Sequence, residues 1–220
     1  MNITQALRIA LCVFCSLTSL QAQNSAKRPG AMKPSLRSAT NDKDWALELG
    51  SGVLISDVRT DLPGYTLVPA AFTAVFKVDD VSLDNEIGGI LRGNTEFLFR
   101  GLGLAVVEGF ESRFIGFQFG PRYNFVQPGW KFVPFVEGHV GFSFTDSQGV
   151  TLARGEVGQG QDFDFNFGIA AGVRYDISDV WYVSLAGMYT HFSNAGLSDP
   201  ERKNRAMDAA GPLLSVGYRF

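Results

Sequence analysis

The sequence has few cysteines, almost no net charge and, after its first residues, no long apolar run. Only Cys12 and Cys15 occur among its 220 residues, and the net charge at pH 7 is -3. No window beyond the leader reaches the roughly 18 apolar residues that a transmembrane helix needs. GxGxxG, P-loop and HExxH motifs are also missing. These absences argue against nucleic-acid binding, nucleotide binding, zinc chemistry and a membrane-spanning helix, and we expect neither a metal nor a cofactor.

The first residues have the composition of a secretory signal peptide. Arg8 precedes an apolar run from Ile9 to about Leu20, and small or polar residues follow around Ala22. Residues 1–22 are therefore predicted to be a signal peptide, which removes both cysteines from the mature chain and excludes disulfides. Residues 23–43 are polar, lack periodicity and are predicted to be a flexible tail. The remaining residues, 44–220, are predicted to form one domain.

From residue 45 onward, apolar and polar residues alternate with a period of two. In SRFIGFQFGPRYNF, residues 112–125, large apolar side chains share one face: Ile115, Phe117, Phe119, Tyr123 and Phe125. DFDFNFGIAAGVRY, residues 162–175, repeats the pattern with polar residues on the other face: Asp164, Asn166 and Arg174. Successive strand residues point to opposite faces, so each segment has one apolar and one polar face.

The apolar face is too aromatic for a soluble sandwich. The chain has 19 Phe and 25 Gly, which suggests large groups outside and small or polar groups inside. Alternating strands of about ten residues are typical of outer-membrane barrels, in which closure satisfies every backbone group in lipid. About eight such segments begin near Trp45, Tyr65, Ile90, Ser112, Lys131, Asp162, Val180 and Asp208. The prediction is an all-β fold, an eight-stranded antiparallel transmembrane β-barrel with a lumen filled by side chains.

The breaks between strands differ in length. VQPGWK and YDISDVW are short enough for periplasmic turns, whereas DVRTDLPG, VVEGFE, DSQGVTLARGEVGQGQ and the stretch after Ser193 suit the outside. The chain ends in SVGYRF, and its terminal Phe220 resembles the C-terminal signal by which the barrel assembly machinery receives outer-membrane proteins.

A polar cluster interrupts the apolar face of the last two strands. The large apolar residues of the seventh strand share odd numbering: Trp181, Val183, Leu185 and Tyr189. His191 and Ser193 therefore share their outward face, and Asp208 has the outward parity of the eighth strand. An ionisable group on the lipid face is costly, roughly 2–4 kcal/mol for a cation at the midplane and less near the interface. With both termini periplasmic, the cluster would lie at the outer end of strand seven, level with the headgroups of the outer leaflet.

The spacing of these residues suits nucleophilic catalysis. Residues two apart on a strand lie roughly 6–7 Å from each other on one face, and a cross-strand neighbour lies about 5 Å away. His191 would take the proton of Ser193, Ser193 would attack an ester carbonyl, and Asp208 would orient the imidazole. Asn194, or backbone N–H groups of the turn through Gly196, would hold the oxyanion. Because the base must be a neutral imidazole, the rate of hydrolysis should rise with pH across roughly pH 5–8 as His191 loses its proton.

The same residues carry a resemblance to a known family. HFSNAGL at 191–197, followed by Pro200 and by NRAMD before a closing aromatic strand, resembles the lipid A 3-O-deacylase (acyloxyacyl hydrolase) family of outer-membrane barrels. GGILRGNTEFLF at 88–99 is similar to that family's third-strand region. The resemblance implies a triad of His191, Ser193 and Asp208, with lipid A or lipopolysaccharide as substrate. It also implies residence in the outer membrane of a Gram-negative cell, with the site facing the outer leaflet.

The chain departs from the family pattern in its last loop. The family often shows Asn-x-Gly-x-acid, whereas residues 204–208 read NRAMD and ERK at 201–203 lengthens the loop. Asp208 is also shorter than the Glu of some members, which leaves Glu201 as a competing triad acid.

Two other functions remain open from sequence. A non-enzymatic small barrel with a structural or adhesive role would show the same alternation and the same terminal Phe220, but it would not need His191 and Ser193 to face outward. A soluble lipocalin-like carrier would have an apolar interior and a polar exterior. The partners expected for the barrel are lipid A and the surrounding membrane lipid, and the sequence leaves a homodimer open.

Overall fold

The computed structural model describes residues 43–56, 64–152, 155–199, 201–202 and 206–220. The predicted signal peptide and all but the last residue of the predicted tail lie outside these ranges. The described part from residue 43 onward belongs to one compact unit.

Eight barrel strands are present among the described residues, close to where the alternation predicts them. The first, β1, is Trp45–Gly52 and resumes after Val53 as Leu54–Ser56. The others are β2 (Thr66–Lys77), β3 (Gly93–Glu108), β4 (Arg113–Phe125), β5 (Phe132–Thr145), β6 (Phe163–Asp176), β7 (Trp181–Ser193) and β8 (Met207–Arg219). A short hairpin of Val150–Leu152 with Gly155–Val157 lies in the β5–β6 connection.

The strands form a closed antiparallel barrel. Each strand pairs with its neighbours in the chain, and β1 also pairs with β8 along Ala46↔Arg219 to Gly52↔Leu213. Among the described residues, closure leaves the barrel sheet itself without an open edge, which is the condition for a sheet in lipid. The β1–β2, β3–β4, β5–β6 and β7–β8 connections share one end, called here the loop end. The other three connections and the barrel's terminal residues lie at the opposite end, called the terminal end.

Side chains alternate across the barrel wall as predicted. On β4, for example, Phe117 is 59% exposed whereas Gln118 is 1% exposed, and the same alternation runs along β6 and β7. Exposure here is to the surroundings of the isolated barrel, so the exposed Phe, Leu, Ile and Val side chains form its lipid-facing surface. Phe220 stacks on Trp45 at the terminal end, with ring centroids 4.0 Å apart.

Charged residues fill the lumen toward the terminal end. Arg122 donates to both carboxylate oxygens of Glu48, at 2.7 and 3.1 Å, and to Glu137 at 3.1 Å. Arg100 donates to Glu137 at 2.8 Å, and Tyr182 donates to Glu48 at 2.9 Å. A buried charge needs a partner and hydrogen bonds, and this network supplies both from five different strands.

The lumen toward the loop end is more apolar than the sequence suggests. Large buried side chains there include Tyr65, Phe114, Phe192 and Met207. The expectation of small or polar groups inside holds for only part of the barrel. An eight-stranded barrel has room for one layer of packed side chains, and at the loop end large apolar groups share it with the buried polar side chains of Glu111, Asp164 and Asn166.

The one helical segment among the described residues is a single turn, Glu86–Gly89. None of the described helices has the length and apolarity needed to cross a membrane.

Candidate active site

The last residues of β7 place a polar pair on the outer wall of the barrel. Thr190 and Phe192 are fully buried in the lumen, whereas His191 and Ser193 between and after them are partly exposed on the outward face. Phe192 packs on Phe114 across the lumen, with ring centroids 5.3 Å apart, and this contact fixes the orientation of the last residues of β7. The predicted parity of His191 and Ser193 is therefore the parity that the structure has.

The register of β7 and β8 brings the acid to the histidine. His191 lies directly opposite Asp208, and its Nδ1 is 2.7 Å from Asp208 Oδ1. Phe167 on β6 lies on the other side of the imidazole, with ring centroids 4.7 Å apart. Since Nδ1 is held by the carboxylate, Nε2 is the nitrogen that remains for a serine hydroxyl.

A tyrosine that the sequence reasoning missed also binds this acid. Tyr189 lies two residues before His191 on the same face, and its hydroxyl donates to Asp208 Oδ1 at 2.6 Å. The shared parity of Tyr189 and His191 could have suggested this contact. Whether the contact forms depends on the register of β7 against β8, which the sequence alone does not supply.

Ser193 ends β7 and begins a tight turn. Its Oγ accepts a hydrogen bond from the Ala195 N–H at 3.2 Å, and both Ala195 and Gly196 have positive φ, 57° and 80°. Within the described residues no hydrogen bond joins His191 to Ser193. Such contacts are often long in a free enzyme and tighten when substrate binds, so this geometry is compatible with catalysis.

The side chain of Asn194 lies on the opposite side of the wall from Ser193. It is fully buried, its Oδ1 accepts from the Gly196 N–H at 2.9 Å, and its Nδ2 donates to Ser198 Oγ at 2.9 Å. Ser198 in turn donates to the backbone carbonyl of Arg202 at 2.6 Å. The contacts shown for Asn194 and Gly196 hold the turn that carries Ser193, and their predicted part in binding the oxyanion stays a prediction.

The competing acid lies elsewhere. Glu201 is exposed in the β7–β8 connection, and Asp208 is the carboxylate that contacts His191. Among the described residues, no group of three or more His, Cys, Asp or Glu side chains could hold a metal ion. His139 and Glu137 are both buried and share the lumen-facing side of β5, whereas His191 lies on the outward face of the barrel.

Hydrogen bonds join two other connections at the loop end. Asp146 accepts hydrogen bonds from Ser112 Oγ at 2.5 Å and from the Ser112 N–H at 2.8 Å. The Ser112 hydroxyl is the main cause that lowers the pKa of Asp146 below its ordinary value of 3.8. Asp146 is therefore ionised at neutral pH and joins the β3–β4 and β5–β6 connections.

Comparison with known protein families gives one match over most of the chain. The family model for PagL, described as lipid A 3-O-deacylase, matches residues 38–218. None of the curated proteins matches the sequence.

Solved structures give the same fold. The crystal structure of the outer membrane enzyme PagL is similar with a TM-score of 0.50 and 16% identity, over 78% of this chain and 97% of that one. The crystal structure of Neisserial surface protein A (NspA) is similar with a TM-score of 0.52 and 10% identity, over 80% of this chain and 95% of that one. At such identities the likeness concerns the fold alone.

Proposed function

Because the chain belongs to the lipid A 3-O-deacylase family and is a carboxylic ester hydrolase of that type, we propose that Ser193 is its nucleophile. The ester it cleaves is proposed to be the one that links a 3-hydroxyacyl chain to the 3 position of lipid A. The observation that carries this proposal is the contact between His191 Nδ1 and Asp208 Oδ1 on the outer wall, two residues from Ser193.

The proposed reaction needs only these side chains and water. Ser193 Oγ attacks the ester carbonyl while its proton passes to Nε2 of His191, and Asp208 stabilises the imidazolium that forms. The tetrahedral intermediate then collapses and breaks its bond to the sugar oxygen, which takes that proton from His191 Nε2 and leaves as a free hydroxyl. Water, deprotonated by the same imidazole, hydrolyses the acyl-enzyme and releases the 3-hydroxy fatty acid.

The turn after Ser193 is proposed to bind the developing oxyanion. Its Ala195 N–H already lies 3.2 Å from Ser193 Oγ, so it is close to any carbonyl carbon bonded to that oxygen. The Gly196 N–H bonds Asn194 Oδ1 in the free protein and would have to turn toward the substrate to contribute. A preorganised backbone donor of this kind contributes typically about 3–4 kcal/mol to catalysis.

The surroundings of the site fit an acyl-chain substrate. Phe165, opposite Ser193 on β6, is 46% exposed, and Leu197 in the turn is 61% exposed. Both would face lipid rather than water. We propose that the loop end faces the outside of a Gram-negative cell, so that the site meets the lipopolysaccharide of the outer leaflet, and that Phe220 serves the barrel assembly machinery.

The experiment that tests the nucleophile measures fatty acid released from lipid A by the purified barrel in detergent micelles. The wild type should release 3-hydroxy fatty acid, and Ser193→Ala should reduce the rate by at least about 10³-fold, because no other described group replaces the nucleophile. Ser184→Ala is the matched control, since Ser184 lies on the same strand but is buried in the lumen. Equal rates for Ser193→Ala and the wild type would reject Ser193, and a folded but inactive wild type would favour the structural barrel.

A further inference from the structure

One oxygen of Asp208 accepts two hydrogen bonds from β7. Oδ1 lies 2.7 Å from His191 Nδ1 and 2.6 Å from the hydroxyl of Tyr189. We propose that Tyr189 is a positioning residue for the catalytic acid, one that acts on hydrolysis through Asp208 rather than by touching substrate. This inference rests on the proposed function of the His191, Ser193 and Asp208 site.

The His191 Nδ1–H and the Tyr189 hydroxyl can both donate to Asp208 Oδ1 without competing. A carboxylate oxygen has two lone pairs, so it can accept from Nδ1 and from a phenol at once. Tyr189 and His191 share the outward face of β7, while Asp208 lies directly opposite His191 on β8. Tyr189 reaches Asp208 along the diagonal of the strand pair, a distance that an aromatic side chain can span.

The length of the acid explains why a second donor is useful. An Asp side chain has one methylene fewer than Glu, and Asp208 contacts His191 from the position directly opposite it. The Asp208 side chain is also 33% exposed, on the outside of the barrel wall. A charge-assisted hydrogen bond from Tyr189 holds the rotamer of Asp208, so that the carboxylate points at Nδ1 before substrate arrives.

The test is a double-mutant cycle in kcat and KM for lipid A hydrolysis. Tyr189→Phe should lower kcat by roughly 10- to 100-fold, the size expected for a lost hydrogen bond to a charged group, and leave KM unchanged. In the Asp208→Asn background, Tyr189→Phe should cost nothing further, since the residue acts through that acid. Tyr218→Phe removes the matched hydroxyl at the terminal end of β8 and should leave both parameters as they are.

Two kinetic results would overturn the proposal. An equal loss of kcat in the wild-type and Asp208→Asn backgrounds would show that Tyr189 does not act through Asp208. A raised KM with unchanged kcat would show that Tyr189 binds substrate instead.

A second readout does not depend on hydrolysis. In protein labelled with ¹⁵N-histidine, the Nδ1–H signal of His191, identified by its loss in His191→Asn, should shift in Tyr189→Phe and stay in place in Tyr218→Phe. If the wild type fails to hydrolyse lipid A, the proposed function is rejected. The shift of the Nδ1–H signal still tests whether Tyr189 acts on His191 through Asp208. An unmoved signal in Tyr189→Phe would reject the inference.

Discussion

At the scale of residues, the candidate site depends on which way five neighbouring side chains of β7 point. The sequence predicts the outward parity of His191 and Ser193, because alternation is a local property of a strand. It leaves two acids open, Asp208 and Glu201, since the choice between them requires the register of β7 against β8. The contact of Tyr189 with Asp208 stays hidden for the same reason, as it joins residues 19 positions apart.

The pairing of His191 with Asp208 predicts which acid matters. Asp208→Asn should lower kcat by roughly 10²–10⁴-fold, because the amide no longer stabilises the imidazolium and favours the wrong tautomer. Glu201→Gln, the equivalent acid-to-amide change in the β7–β8 connection, should leave kcat unchanged, because Glu201 is exposed and Asp208 is the carboxylate that contacts His191. Rates measured in detergent micelles decide between them, and the reverse ranking would reassign the acid.

At the scale of elements, the strands were predictable and the filling of the lumen was not. Phe, Tyr, Ile and Val at alternate positions place each strand, and turn residues such as those of VQPGWK separate them. Leu102, Leu104 and Met188 are apolar residues that point inward at the loop end, which simple alternation does not forbid. Which inward positions are apolar depends on packing across the lumen between strands far apart in the chain.

The lipid-facing surface predicts a depth-dependent effect of charge. Leu185 is 58% exposed in the middle of β7 and pairs with Leu214. Leu185→Arg should lower the free energy of unfolding by roughly 2–4 kcal/mol, because the cation lies near the bilayer midplane. Trp130→Arg, in the turn between β4 and β5, should cost at most about 1 kcal/mol. Urea unfolding in lipid vesicles measures both, and equal small effects would argue that Leu185 does not face lipid.

At the scale of the whole molecule, stability and chemistry occupy different faces of the wall. The buried network of Glu48, Arg122 and Glu137 fills the lumen toward the terminal end, whereas the candidate triad lies outside at the loop end. The two sets share no hydrogen bond among the described residues. Substitutions in the network should therefore change the free energy of unfolding of the barrel and leave kcat of the folded enzyme unchanged.

Arg122 provides the test of that separation. Arg122→Leu leaves two buried carboxylates short of partners and should destabilise the barrel by about 3–5 kcal/mol, with kcat of the folded protein unchanged. The double variant with Glu48→Leu should recover part of the loss, because one buried charge is then removed with its partner. Unfolding midpoints and rates on the same samples separate the two effects. A fall in kcat matching the fall in stability would contradict the separation.

We propose that an outward-facing serine on this barrel removes one acyl chain from lipid A. The most direct measurement is mass spectrometry of lipid A from Gram-negative cells that express either the wild type or Ser193→Ala, with folding of both checked by heat-modifiable gel mobility. We predict that wild-type cells lose the mass of a single 3-hydroxyacyl chain and that Ser193→Ala cells retain it. Unchanged lipid A in cells that carry a folded, surface-located wild type would contradict the account.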